Sequence, residues 1–529
     1  MDSFQTRESI TRDHDLSISS NVINDGIKRK LNARQIQMIS LGGVIGTGLF
    51  LTSGTNIAQA GPGGALIAYC VVGFLVYNIM TCIGEVTTYL PVSGSFIHFT
   101  KRIIDPSFGY SLSINYLWQS CISIATELTA ISTVINFWKP VLPAAACASI
   151  SLAIIVFSNL MSVSVYGEME YWFSVFKILI VIAFIITAIL VASGGVGQKA
   201  IGFEYWRNPG AFTNNHVGFI DAVLTAGFSF LGVESITITA GEAKNPTKVI
   251  PKAIQTTAWR IIIFYIFTIF LLGLCIPSTN PNLLVEGNSA STATFTLLFD
   301  LAGIHAAANI INTAVLTSII SAANSGLYMS SRALQRFSLD GHAPACFSWT
   351  NRLGSPYMIY VHYTRKIKVL IFHEILFIFV ISGDKVFFWC LNLCAIGGFV
   401  VWSVIGLIQL RFRQAYVQQG RDIHDLPYKA LSYPYSGLFC FIFSALVIFG
   451  QGYEAFYPHW DGVKFLERYI GILPYFICFA VHKIVTKSKM PCVKDIDIDT
   501  GRVDHCDIDK DVEEKQSSSF WRRVLKWIT

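Results

Sequence analysis

Apolar runs of roughly twenty residues recur along this chain, separated by short polar connections. A helix needs about 20 apolar residues to cross a bilayer core about 30 Å thick. Backbone at that depth must satisfy its own hydrogen bonds, which leaves helices or a closed barrel. The length and continuity of the runs select helices. Of the 529 residues, 53% are hydrophobic and 14% charged, too little polar surface for a soluble protein of this size. Spans are predicted at 37–59, 64–90, 109–137, 143–162, 171–193, 217–240, 260–277, 303–330, 357–382, 386–410, 436–453 and 466–485. The expected fold is an all-α polytopic membrane protein of about 12 transmembrane helices.

Charge placement orients it. Residues 1–35 are polar and end in Lys28, Arg29, Lys30 and Arg34, with no cleavable signal peptide. If the N-terminus is inside, the inner loops carry Lys101 and Arg102; Lys244, Lys248 and Lys252; Arg332, Arg336, Arg352, Arg365, Lys366 and Lys368; and Arg411, Arg413, Arg421 and Lys429. The outer loops hold only scattered Lys139, Lys199, Arg207, Lys385 and Lys464. Both termini are therefore expected in the cytoplasm. The loop between spans four and five runs against the trend with Glu168 and Glu170. No basic surface interleaved with aromatics points to nucleic acid. The twelve cysteines give neither a disulfide framework nor metal-ligand spacing, and Cys390 and Cys394 read as small buried residues.

Inside span one, Leu41–Phe50 holds four glycines in seven residues. Each costs about 1 kcal/mol against alanine in a helix interior, so something other than helix stability favours them. Span six contains a similar interruption, Gly227 to Gly232 followed by Val233, Glu234 and Ser235. Broken helices at matching places of two five-helix halves are the sequence pointer to an inverted-repeat transporter with a midplane site. The alternative is that the glycines merely permit close helix packing. The expected organisation is a tail over 1–35, a ten-helix inverted-repeat core over 36–411, two further helices over 412–485 and a tail over 486–529.

The stretches Leu41–Phe50, Thr52-Ser53-Gly54, Ala60–Gly64, Gly84-Glu85 and Pro91–Phe96 resemble the fungal amino-acid permeases of the amino acid, polyamine and organocation superfamily. Ile238–Ala243 with Asn245-Pro246, Ile319–Ser325 and Gly383–Phe387 are most similar to the basic amino-acid (arginine and lysine) permeases. The likeness runs from about residue 30 to 490 and is less specific for substrate than for family. It implies secondary active import, with an amino acid, protons and the bilayer as partners and no cofactor or metal. It also implies that Lys177 stands where sodium-driven members of the wider fold bind sodium.

An amino acid needs partners for its carboxylate and its ammonium. At the first break, Ile45, Gly46, Thr47 and Gly48 begin an outer half-helix whose free N–H groups and dipole suit the carboxylate. Carbonyls near Ile45 and near Ser229 and Phe230, beside Gly232, can take the ammonium. Glu127, in the middle of span three, costs about 2.5–3.5 kcal/mol on insertion scales. It holds a cationic side chain, exchanges the coupling proton, or bonds a neighbouring helix. Lys177 either takes up and loses a proton between wet and dry surroundings or snorkels to the interface. Glu234 faces the site or a helical neighbour; Glu85 and Glu242 read as structural charges near helix ends. Ser321, Asn324 and Ser325 face span one or bond between helices. Phe228 and Phe230 read as packing or as an aromatic gate, with Phe230 favoured beside the break.

Span nine departs from the pattern. Met358–Lys368 is polar and basic, and the apolar run Val369–Ile381 is short and contains His373 and Glu374. Either segment 358–382 is a short tilted helix, or it records a splice or frame error that casts doubt on activity. Two other activities compete with proton-coupled import of lysine and arginine: a neutral or broad-range permease, and a non-transporting amino-acid sensor, which the modest tails disfavour. An enzyme is not expected, because no nucleophile with a base, metal pair or nucleotide loop occurs at usable spacing. Ser, Thr, Lys28 and Lys30 near the N-terminus are compatible with a ubiquitin ligase and endocytic machinery acting on the tails.

Overall fold

The computed structural model describes Met38 and residues 45–502, apart from 93, 139–141, 162, 196–199, 214–215, 241–245, 284–292, 351–383, 431 and 458. Predicted span nine, Glu242, Gly42 and Gly43, and most of both tails lie outside the described residues. Within them the chain is helical, with no strand. Eight helices are long and apolar enough to cross a membrane, and a ninth if Gly462–Tyr469 and Leu473–Thr486, bent by 67°, form one span. Predicted span four is a shorter helix, Ala144–Leu160. The chain is a multi-pass membrane protein.

Burial identifies the solvent. The most apolar window, in span five (Val163–Ser193), has a mean hydropathy of 3.0 yet only 39% of it is buried, whereas span ten (Asp384–Gln418) reaches 2.1 with 83% buried. In water that order would reverse, because exposed apolar area is what folding removes. On span five Trp172, Phe176, Leu179, Ile182 and Ile186 face outward, while Glu170, Ser174 and Lys177 are buried on the other side. The helix is amphipathic inside out, as lipid contact demands.

Asp105 starts span three (Pro106–Ile135), its carboxylate accepting from the Ser107 N–H (2.7 Å) with proline at the first helical position. Span three packs along both span eight (His305–Leu339) and span ten. Spans one and two are run together in Thr52–Tyr89, interrupted at Gly61 (φ +78°). A Cβ there would lie 2.6 Å from the Ala211 carbonyl oxygen, so both the backbone and the space require glycine.

Two interruptions face each other. In span one Ile45 lies outside any helix, Gly46 is non-helical (φ −144°, ψ −145°), and a helix starts at Thr47. Span six stops at Phe230, turns through Leu231–Glu234 with Gly232 at φ +88°, and resumes as Ser235–Ala240. The second break therefore lies after Gly227, which is helical and closes against the Phe399 ring. Thr47–Phe50 packs on span six, as a pair of matched broken helices requires.

At the end of the molecule that carries the basic loops, the chain beyond span twelve folds back. Ile496 and Ile498 are buried. Arg102 pairs with Asp497 (2.6 Å) and donates to the Thr500 carbonyl (2.7 Å); Arg421 pairs with Asp499 (2.5 Å); Arg411 donates to the Pro491 carbonyl (2.6 Å) and Gln419 to that of Ile496 (2.7 Å). The region read as a free tail from 486 thus begins with a docked segment.

Candidate functional site

Between the two breaks, spans three and eight close a cavity lined by Gly46, Gly48, Tyr116, Gln119, Glu127, Phe228, Ser229, Gly232, Glu234, Ala322 and Ser325, among others. The glycines of span one set its walls. A Cβ on Gly48 would lie 2.4 Å from Ser229 Cα, and one on Gly46 would lie 2.7 Å from Ala322 Cβ and 3.1 Å from Glu127 Oε1. Close packing and site formation are thus one property here, since only bare backbone lets span one reach both span six and Glu127. Ile45 and Thr47 are buried and do not line the cavity.

Glu127, almost fully buried, accepts a short hydrogen bond from the Thr47 hydroxyl, and the Thr47 N–H also faces it. Its negative charge therefore sits at the positive end of the outer half-helix of span one. The anion seat expected for a substrate carboxylate already has a carboxylate of the protein beside it. Glu234 differs. It is fully buried, its Oε2 accepts from the Trp402 indole N–H (3.2 Å), and its Oε1 has no hydrogen bond among the described residues, while the backbone N–H groups of Glu234 and Gly232 and the buried Arg260 also act on the carboxylate. Gln119 Oε1, of another lining residue, is also without a hydrogen bond among the described residues.

The residues of span six divide by direction. Ser229 reaches the cavity, and its hydroxyl is shared with Tyr69 (2.9 Å). Phe230 is fully buried against Tyr265 (4.4 Å between ring centroids) and Tyr69 (6.0 Å) and does not line the cavity; Phe228 does. The aromatic that lines the cavity is therefore Phe228 rather than Phe230, because the helix continues through this pair and turns Phe230 away.

Lys177 is fully buried, which removes snorkelling, and its ammonium has no hydrogen bond among the described residues. Two carboxylates act on it electrostatically, Glu170 first and then Glu127. Glu170, read from the sequence as a loop charge, is a fully buried helix residue that accepts from Ser321 (2.9 Å) and Asn324 (3.0 Å). Ser321 and Asn324 thus form interhelical bonds, and Asn324 also accepts from Ser158 and from Asn159 (2.7 Å). Ser325 lines the cavity and accepts from Tyr166 (3.2 Å). The signal missed was the spacing Glu170, Ser174, Lys177, one buried helix face, concealed by starting span five at 171. Glu85 is structural: both its oxygens bind Arg413, and Oε2 also accepts from the Ala430 N–H (2.7 Å). No group of three potential metal ligands occurs among the described residues.

The family model described as amino acid permease matches residues 35–494. The chain is 41% identical over 502 residues to the lysine-specific permease LysP of Lactococcus lactis subsp. cremoris, covering 93% of this chain and 97% of the relative. It is 37% identical to the histidine permease HisP of the same organism, covering 89% and 98%. It is 36% identical to a lysine-specific permease of Saccharomyces cerevisiae, covering 90% and 79%. All three carry names of solute carriers rather than of catalysts.

Proposed function

The chain belongs to the amino acid permease family, and from that premise we propose that it imports basic amino acids, lysine and arginine, together with protons by alternating exposure of the cavity between spans one and six. The observation that carries the substrate reading is Glu234. A buried carboxylate oxygen without a partner is costly, and a cationic side chain entering the cavity would satisfy it. Relatives named for lysine and histidine support the same reading. Glu127, engaged by Thr47, is assigned to the α-carboxylate end: the substrate carboxylate takes the half-helix N-terminus when Glu127 gives up its charge or its place. Backbone carbonyls at the two breaks receive the α-ammonium. Lys177 is the proton-coupling group, buried in this conformation and wetted in another. The basic loops and the docked C-terminal segment are assigned to the cytoplasm, with the protein at the plasma membrane and ubiquitin ligase acting on its tails.

The test is uptake of lysine, arginine and a neutral amino acid by permease-deficient yeast at two pH values, with Glu234→Gln, Glu127→Gln and Lys177→Ala beside the parent. Basic uptake that rises at acidic pH and falls in Glu234→Gln supports the assignment. Equal uptake of the neutral amino acid would replace it with the broad-range reading, and binding without uptake would replace it with the sensor. A parent whose uptake ignores pH would remove the proton.

A further inference from the structure

Glu170 and Lys177 lie two helical turns apart on the buried face of span five, and neither is exposed to solvent. A charge inside a membrane protein must find a partner or lose its ionisation. Lys177 has no hydrogen bond among the described residues, and the first of the two carboxylates acting on it is Glu170. Glu127, the second, is already engaged by Thr47 of span one. Glu170 is held in place by neutral donors from outside its helix, Ser321 and Asn324 of span eight, and Asn324 is in turn fixed by Ser158 and Asn159 of span four. Three helices therefore fix where this carboxylate stands, while the ammonium two turns along the same buried face, acted on by it electrostatically, is held only by its own flexible chain.

We propose that Glu170 is the fixed counter-ion of Lys177, a positioning residue that keeps the ammonium inside the bundle and leaves Glu127 free to respond to the substrate. The proposal rests on the coupling role given to Lys177 above. It separates two jobs. The Glu170–Lys177 pair is neutral as a unit, so the ammonium keeps one place in the bundle whether its surroundings are dry or wetted, whereas the Glu127–Thr47 contact must be remade whenever span one moves.

Four purified proteins test it: the parent, Glu170→Gln, Lys177→Gln and the double variant. Gln at 170 keeps the size and one acceptor oxygen for Ser321 and Asn324 but removes the charge. Two readouts are taken, melting temperature in detergent, which needs no substrate, and lysine exchange in proteoliposomes without a proton gradient. Glu170→Gln is expected to lower exchange by about tenfold or more and to lower the melting temperature, because it strands the ammonium. Adding Lys177→Gln should restore the melting temperature and return exchange to that of Lys177→Gln alone. A double variant whose losses are the sum of the single ones overturns the pairing, since a residue acting through hydrogen bonds alone gains nothing from changing Lys177. If Glu170→Gln yields no folded protein, recovery of folded protein by the second substitution supports the pairing and absence of recovery overturns it. Coupled melting temperatures with no lysine exchange in the parent would overturn the transport reading and leave the pairing. Exchange in the parent with additive melting losses would do the reverse.

Discussion

Glu85 and Glu234 are both fully buried carboxylates in the same bundle, and they differ in what is left over. Glu85 has both oxygens engaged by Arg413, with the Ala430 N–H added, and Arg413 also lies over the Tyr433 ring at 5.0 Å. Glu234, a residue of the cavity wall, has one oxygen on Trp402 and the other without a hydrogen bond among the described residues. Depth in the membrane therefore does not separate Glu85 from the acid proposed to bind substrate. Saturation does, because an acid whose valences are closed within the chain has nothing to offer a ligand.

That contrast can be attacked from both sides. Arg413→Ala strands Glu85 and should cost about 3–5 kcal/mol of stability, read as a fall in melting temperature that Glu85→Gln partly reverses; a loss of uptake with unchanged melting would place Glu85 in the site instead. Gly48→Ala drives a Cβ against the Ser229 backbone and should cost about 1–3 kcal/mol with loss of lysine uptake, while Gly450→Ala, which meets nothing, should do neither. Glu234→Gln should reduce lysine uptake by about tenfold, equivalent to about 1.4 kcal/mol, with melting unchanged or raised. A melting loss as large as that of Arg413→Ala would erase the distinction. Trp402→Phe removes one donor from Glu234 and should shift the lysine KM by about 0.5–1.5 kcal/mol, leaving expression intact. Asp497→Asn, which loses the half-exposed partner of the largely buried Arg102, should move stability by about 1 kcal/mol.

The sequence made the glycine interruptions readable because glycine at a helix centre has few excuses: Gly232 takes the positive φ of the second break, and Gly48, just inside the helix after the first, lets span one close on Ser229. It hid Glu170 because a charge count assigns acids near a span boundary to loops, and one helical turn of error moves the residue from water to the interior. Glu85 could not be resolved from the chain alone, since its partner Arg413 is 328 positions away. Phe228 and Phe230 were inseparable by composition. Only the helix phase through Phe230, which turns that ring toward Tyr265, distinguishes them.

The docked segment at residues 491–500 has a thermodynamic consequence. Arg102 stands between spans two and three and Arg421 between spans ten and eleven, and both are gripped by the same stretch of chain. With Asp497 and Asp499 about half exposed or more, each ion pair is individually weak and screened by salt. Their strength lies in simultaneity: once Arg102 is held, the tether keeps Asp499 near Arg421 at high effective concentration. The two loops cannot separate without at least one grip opening, so the position of the loops and the occupancy of the segment form a single linked equilibrium. Whatever favours the released segment must, by reciprocity, favour the separated loops by the same free energy.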